Sequence, residues 1–246
     1  MQRDAGFSAG RIDDLITRAQ RTGITQFTPF LDPLTAHEIK RICTSAALNY
    51  ADFGGHEDAE RRIVAVGDDA ANAKFPLEAL KISWDKRFGS PAHHDILGAV
   101  MALGIKRETF GDILLGDDAA YLFVSCAMKD TVLLLTSAGR VNVHTESCEF
   151  YSALRPSGRT VTATFKSFRL DAVLAEGMKL SRTNAALIIS QGRVLLNYAP
   201  CLKSDAHIKT GDVISVRGMG RIVIGEEGGK SKKDRSYLTM EIFSRK

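Results

Sequence analysis

The spacing of apolar residues changes its period twice along the 246-residue chain. Over Arg11–Gln20, apolar Ile12, Leu15 and Ile16 recur near helical spacing, and Gly23 closes the segment. Phe30-Leu31-Asp32-Pro33 then marks a stop and a restart. Asp32 is placed to cap a helix whose first turn holds Pro33, with Ile39, Ile42 and Ala46 on its inner face. Gly54-Gly55 is a hinge or tight turn before the charged stretch Glu57–Arg62, which passes into apolar Ile63-Val64-Ala65-Val66. Residues 1–75 are expected to form a mainly helical region.

From about residue 78 the period falls to two. Leu80, Ile82 and Trp84 alternate with Lys81 and Ser83, a strand signature. His93–Leu103 reads as a helix ended by Gly104, with Leu97, Val100 and Met101 inward. Ile113–Leu115 and Tyr121–Val124 read as strands, Ala127–Ser137 as a second helix, and Val141–His144 as a further strand. The order β-α-β-β-α-β is that of the ferredoxin-like sandwich shared by RNA-recognition domains, and it assigns residues 76–166 to a central RRM-like domain. Tyr121 and Phe123 share one face of their strand, as stacking aromatics would, although core packing accounts for them better. Thr160–Phe165 alternates cleanly and is expected as a last strand before the next domain.

Residues 167–246 form the third segment. Arg169–Glu176 is a short helix burying Leu170, Val173 and Leu174. Ser181 starts a second helix, to Gln191, that buries Ala185, Ile188 and Ile189, and Gly192 stands where a helix end needs positive φ. Strands are expected around Val194–Leu196, Val213–Val216, Ile222–Ile224 and Leu238–Ile242, with Gly228–Arg235 as a mobile basic loop. The fold class is therefore α+β throughout.

Charge sharpens this division. Residues 167–246 hold 14 Lys and Arg against 8 Asp and Glu, a balance of +6, while the rest of the chain stands at −2. A basic end on a slightly acidic body points to an anionic partner for that end. No apolar run approaches the ~20 residues of a membrane-spanning helix, and Met1–Gly6 lacks the apolar stretch of a secretory signal. Cys43, Cys126, Cys148 and Cys201 are scattered without metal-site spacing and read as reduced thiols of a cytoplasmic protein. Neither a metal nor another cofactor is expected.

Two runs carry the chemistry. One is Arg169-Leu170-Asp171-Ala172-Val173-Leu174 with Leu180-Ser181-Arg182 and Ile188-Ile189-Ser190-Gln191-Gly192-Arg193-Val194; the other is Lys209-Thr210-Gly211-Asp212-Val213-Ile214-Ser215-Val216-Arg217-Gly218. Together they closely resemble the S-four domain, an RNA-binding pair of helices on a small sheet. The resemblance implies an RNA surface of Arg169, Ser181, Arg182, Gln191, Arg193, Asn197, Lys203, Arg217 and Arg221. Helix N-termini offer free N–H groups to phosphate, and Arg adds forked contacts that Lys cannot copy. Such contacts position folded RNA without reading its sequence. Asp171 reads as fixing the first helix or pairing with a neighbouring Arg, and not as a catalytic group.

The likeness extends toward the N-terminus. Phe30-Leu31-Asp32-Pro33, Gly54-Gly55 with Ala59-Glu60-Arg61, His93–Gly98, Gly104–Glu108, Gly111-Asp112-Ile113 and Arg217–Arg221 are similar to the YlmH family, although His94 stands where that family usually has Arg. Lys106 and Arg107, after a helix end, are further candidates for RNA contact. The resemblance implies a non-enzymatic, monomeric partner of rRNA and tRNA on the large ribosomal subunit, steadying peptidyl-tRNA in quality control of stalled translation. Cyanobacterial and plastid relatives are linked to photosystem assembly. The rival reading is an RNA-modifying enzyme with an appended S-four domain. No glycine-rich loop follows a strand as a methyltransferase requires, and the helical spacing of His93, His94 and Asp95 spreads them around the helix axis. No catalytic residue is assigned.

Overall fold

Helix α1 (Ala9–Thr22) turns Ile12 and Ala19 inward, and strand β1 (Gln26–Phe27) follows it. Helix α2 (Pro33–Ser45) starts where Asp32 accepts the N–H groups of Leu34 and Thr35 at 3.0 and 3.1 Å, as its sequence predicts. This computed structural model describes residues 9–57, 59–149, 158–231 and 233–244, and the chain divides into two units, 1–155 and 156–246. The region expected as mainly helical also holds a sheet. Strands β2 (Tyr50–Phe53) and β3 (Ile63–Val66) join β1 in the order β1-β3-β2. All four residues of β3 are buried, so no alternation announced the strand.

The central segment follows the expected order. It comprises β4 (Leu77–Trp84), α3 (His93–Ala102), β5 (Phe110–Leu115), β6 (Ala119–Ser125), α4 (Lys129–Leu133), β7 (Ser137–Ala138) and β8 (Val141–Cys148). The sheet runs β5-β6-β4-β8-β7 with every pair antiparallel, so its first four strands have the ferredoxin-like order. Ile96, Val100 and Val132 of the helices share one core with Leu80, Ile82, Leu122 and Val124 of the sheet. Helix α4 is shorter than the predicted 127–137. The Thr136 carbonyl accepts Val143 N–H, and Ser137 and Ala138 pair with β8.

The opposite face of this sheet is covered by the chain's own N-terminal residues. Phe123 and Ala79 pack with Phe30 and Ile63 in a second core. Gly55 lies over the Phe123 ring at φ +100, and a Cβ there would fall 2.0 Å from the ring's Cδ1. The His56 ring stacks beside it at 5.1 Å. Asp112 of β5 fastens this loop by accepting the N–H groups of Glu60 (2.6 Å) and Arg61 (3.1 Å), with His56 Nε2 at 3.4 Å. Burial would raise the Asp112 carboxyl, but the hydrogen bonds from His56, Glu60 and Arg61 outweigh it and hold the group below the usual carboxylate range. Arg61 Nη2 donates to the Phe30 carbonyl at 2.8 Å. Several motifs that suggested kinship thus meet in one structural lock.

The second unit comprises β9 (Arg159–Phe165), α5 (Leu170–Gly177), α6 (Arg182–Ser190), β10 (Val194–Leu196), β11 (Ala199–Pro200), β12 (Val213–Val216), β13 (Gly220–Lys230) and β14 (Ser236–Ser244). One sheet runs β11-β10-β12-β13-β14-β9, and the helices bury Leu170, Val173, Leu174, Ala185 and Ile189 against Val194, Ile214, Val216 and Ile222. Strand β9 corrects the expectation for Thr160–Phe165. It pairs along β14 as the outer strand of this sheet and is no part of the central one. The predicted loop 228–235 is also revised: β13 continues to Lys230, and the chain turns through Ser231 and Asp234, with Lys232 outside the described residues.

Candidate nucleic-acid interface

The starts of α5 and α6 meet at one buried carboxylate. Asp171, in the first turn of α5, accepts Arg169 through Nε (3.2 Å) and Nη2 (3.3 Å). It also accepts Arg182 of α6, whose Nη2 reaches both carboxylate oxygens at 2.9 Å. The Asp171 side chain is 10% exposed, against 41% for Arg169 and 61% for Arg182. Burial works to raise the Asp171 carboxyl; hydrogen bonds and charge from the two arginines outweigh it and hold it below its usual value. Such a group stabilises the fold at and above ordinary carboxylate pH, and that contribution fades only as pH falls through its depressed pKa. The pair leaves the Arg182 Nε and Nη1 donors directed elsewhere, so the ion pair aims the guanidinium without consuming it.

The two helix ends differ. On α5 the first N–H groups are taken by the chain: Leu170 donates to Ala206 O (2.8 Å) and Asp171 to Ser204 O (2.9 Å). These two N–H groups are therefore not free for a phosphate. On α6, Ser181 is the cap and accepts Asn184 N–H at 3.1 Å. The N–H groups of Arg182 and Thr183 have no acceptor among the described residues, which leaves this end suited to an anion. Lys203 is exposed on the loop whose carbonyls cap α5.

A second basic set lies on the sheet. Arg193 accepts Arg217 N–H at 2.9 Å, and its Nη2 donates to Arg217 O at 3.1 Å. Val194, Val216 and Ile222 point to the helices, so the neighbouring Arg193, Arg217 and Arg221 belong to the other face. Arg221 sits opposite Ser215 and Phe243, its guanidinium 4.5 Å from the Phe243 ring centre. Gln191 is exposed at the C-cap of α6. The candidates thus form two sets and not one, separated by nine helical residues, about 13 Å.

Two candidates are engaged by their own chain. Asn197, at φ +48 in the two-residue turn between β10 and β11, donates to Asp212 at 2.8 Å and accepts Val213 N–H at 2.9 Å. Its amide holds the turn. Arg107 donates to the carbonyls of Phe110 (2.7 Å) and Gly111 (3.1 Å) and stacks on the Phe110 ring, so it anchors β5. Lys106 remains exposed beside it. On the central sheet, Phe123 is fully buried beneath the N-terminal cover and offers no ring to a base. Sequence reasoning passed over Leu187 and Leu202, which the fold leaves exposed. The available signal was that Leu187 lies off the Ala185–Ile188–Ile189 stripe.

Comparison with known proteins agrees with this layout. Residues 168–214 match the family model of the S4 domain, the S-four module, and residues 71–152 match the model described as "Putative RNA-binding domain in YlmH". The chain is 31% identical over 222 residues to the "Ribosome-associated protein quality control protein P2" of Bacillus subtilis (strain 168), covering 88% of this chain and 86% of that protein. The chain belongs to the YlmH family. A solved YlmH structure, the "Cell division protein ylmH from Streptococcus pneumoniae", is 23% identical, with a TM-score of 0.49 over 56% of this chain and 87% of that one. The YlmH model's span takes in the central sheet and both its helices, and the S4 span takes in the Arg169–Asp171–Arg182 fork.

Proposed function

We propose that the protein is a non-enzymatic RNA-binding factor that works on the ribosome, holding folded RNA through its C-terminal unit. The observation that carries this is the fork itself: a buried carboxylate fixes two exposed guanidinium groups beside an open helix N-terminus, an arrangement suited to phosphate. The finer reading is contact with rRNA and tRNA on the large subunit during quality control of stalled translation, by a monomer in the cytoplasm. The Bacillus relative, a ribosome-associated protein quality control protein by name, supports its ribosomal and quality-control part. Sedimentation of the tagged protein through a gradient, with sequencing of crosslinked RNA, tests it. Co-migration with large subunits and crosslinks to rRNA and tRNA are expected; protein remaining at the top of the gradient would end this reading. Modified nucleosides appearing in RNA incubated with the protein would transfer it to the enzymes.

The fork yields a separate prediction. Asp171→Asn adds one unit of positive charge, so attraction of RNA by net charge alone would strengthen binding. Loss of the carboxylate instead frees both guanidinium groups, and binding to a structured RNA is expected to weaken about tenfold, the equivalent of ~1.4 kcal/mol. Tighter binding by the variant in a filter assay would show that the fork has no positioning role.

A further inference from the structure

We propose that the far end of the β13–β14 hairpin is a further RNA contact, where Arg235 holds a phosphate and Tyr237 stacks on an unpaired base. The proposal rests on the RNA-binding reading of the C-terminal unit and adds a site outside both matched family spans, 71–152 and 168–214. The stretch expected as a loop is a shaped turn. Ser231 N–H donates to Arg235 O at 2.7 Å, Asp234 N–H to Ser231 O at 3.0 Å, and Lys230 pairs with Asp234 at 2.6 Å. Arg235 is fixed from the neighbouring strand: its Nη2 donates to Thr164 O of β9 at 2.7 Å. Thr164 is the residue opposite Tyr237 in the β14–β9 pairing, so the guanidinium is held beside the tyrosine. That bond uses one of five donors of an exposed group. Tyr237 is 41% exposed, and its neighbours Leu238 and Met240 enter the core beneath the helices, which turns Tyr237 to the helix-free face. Across the hairpin, a Cβ on Gly228 would lie 3.0 Å from Tyr237 Cβ, so the glycine keeps β13 from crowding the tyrosine.

Charge selects the occupant. Residues 230–235 hold Lys230, Lys232, Lys233 and Arg235 against Asp234, a balance of +3. Of the carboxylates nearby, Asp234 is taken by Lys230. Glu227 sits opposite inward-facing Leu238 and so points away from the face of Tyr237, and Glu226 lies in the bulge before it. An aromatic face beside a fixed guanidinium, in a positive turn, suits a chain that alternates bases with phosphates. A continuous duplex keeps its base faces stacked inside, so Tyr237 takes a nucleotide from a loop, bulge or end. Lys230 stands nine residues along β13 from Arg221, roughly 30 Å of extended strand. The hairpin end and the Arg193–Arg217–Arg221 set therefore grip separate stretches of RNA.

The test measures binding to two synthetic RNAs of equal length, a hairpin with an unpaired loop and a fully paired duplex, over a series of salt concentrations. Arg235→Gln keeps a side-chain donor but removes the charge. It is expected to weaken binding to both RNAs about tenfold and to flatten the log–log salt slope by roughly 0.7 to 0.9, one phosphate contact. Tyr237→Thr keeps a residue suited to a strand. It is expected to lose about tenfold on the RNA hairpin alone, with the slope unchanged. Tyr237→Phe keeps the ring and is expected to bind as the parent does. Equal loss by Tyr237→Thr on both RNAs, as damage to the fold would give, or a matching loss by Tyr237→Phe, would rule out the stacked base. Parental affinity and slope for both Arg235→Gln and Tyr237→Thr would overturn the site, and the turn would then face a protein. R182A/R193A run alongside separates the two claims: if it weakens binding and the hairpin variants do not, only this site fails. If none of them does, the RNA-binding reading fails and takes the site with it.

Discussion

Changing Arg182 and Arg193 together to alanine is expected to weaken RNA binding about 100-fold at low salt, taking each charge-assisted contact as ~1.5 kcal/mol. One residue is drawn from each basic set. Arg182 stands in the fork with Asp171, and Arg193 lies at the far end of α6 against Arg217. If both touch phosphate, the log–log dependence of affinity on salt should flatten by about 1.5, the sum of two contacts at roughly 0.7 to 0.9 each. That change in slope separates loss of ionic contacts from general damage to the fold. The variant keeps Arg169 on Asp171, so the buried carboxylate retains a partner. Co-sedimentation of the double variant with ribosomes at the parent's level would show that these sets are not the interface.

Gly55→Ala is expected to destabilise the first unit by about 3 kcal/mol, combining overpacking with strain at positive φ. The added methyl would lie 2.0 Å from the Phe123 ring, which is packed in one core with Phe30, Ile63 and Ala79. Neither side can yield cheaply, because Asp112 pins the loop through the N–H groups of Glu60 and Arg61. Thermal unfolding followed by circular dichroism should show the first transition lowered by about 10 °C for a unit of this size. A melting curve identical to the parent's would mean that the loop is not held against Phe123 as described. RNA affinity of the C-terminal unit gives an internal control, since the substitution lies in the other unit.

Features set by neighbours in sequence were legible. The Asp32 cap, the Ser181 cap and the positive φ of Gly192 could all be read from a few adjacent residues. The ferredoxin-like order was legible for the same reason, as alternation in β4 and helical spacing in α3 are local. Features decided across distance were not. Nothing beside Thr160–Phe165 tells it to pair with Ser236–Ile242 in place of the central sheet. Asn197 and Arg107 looked like surface polar groups, and only the approach of Asp212 to one, and of the Phe110 and Gly111 carbonyls to the other, gives them a structural role. The candidate site was half legible: its residue types were plain, but its division into two sets depends on which face each strand residue takes.

The pairing of β9 with β14 also sets a timetable for the C-terminal unit. The strand that enters the sheet first in the chain pairs with the strand made last, after both helices and every hairpin between them. During synthesis Arg159–Phe165 must wait, its backbone groups facing water, until Ser236–Ser244 has cleared the exit tunnel. Closing so long a loop is slow compared with forming the helix pair. A nascent chain of this protein therefore displays its arginine fork before the sheet beneath is complete, and the final seam closes the unit like a zip drawn from its two ends.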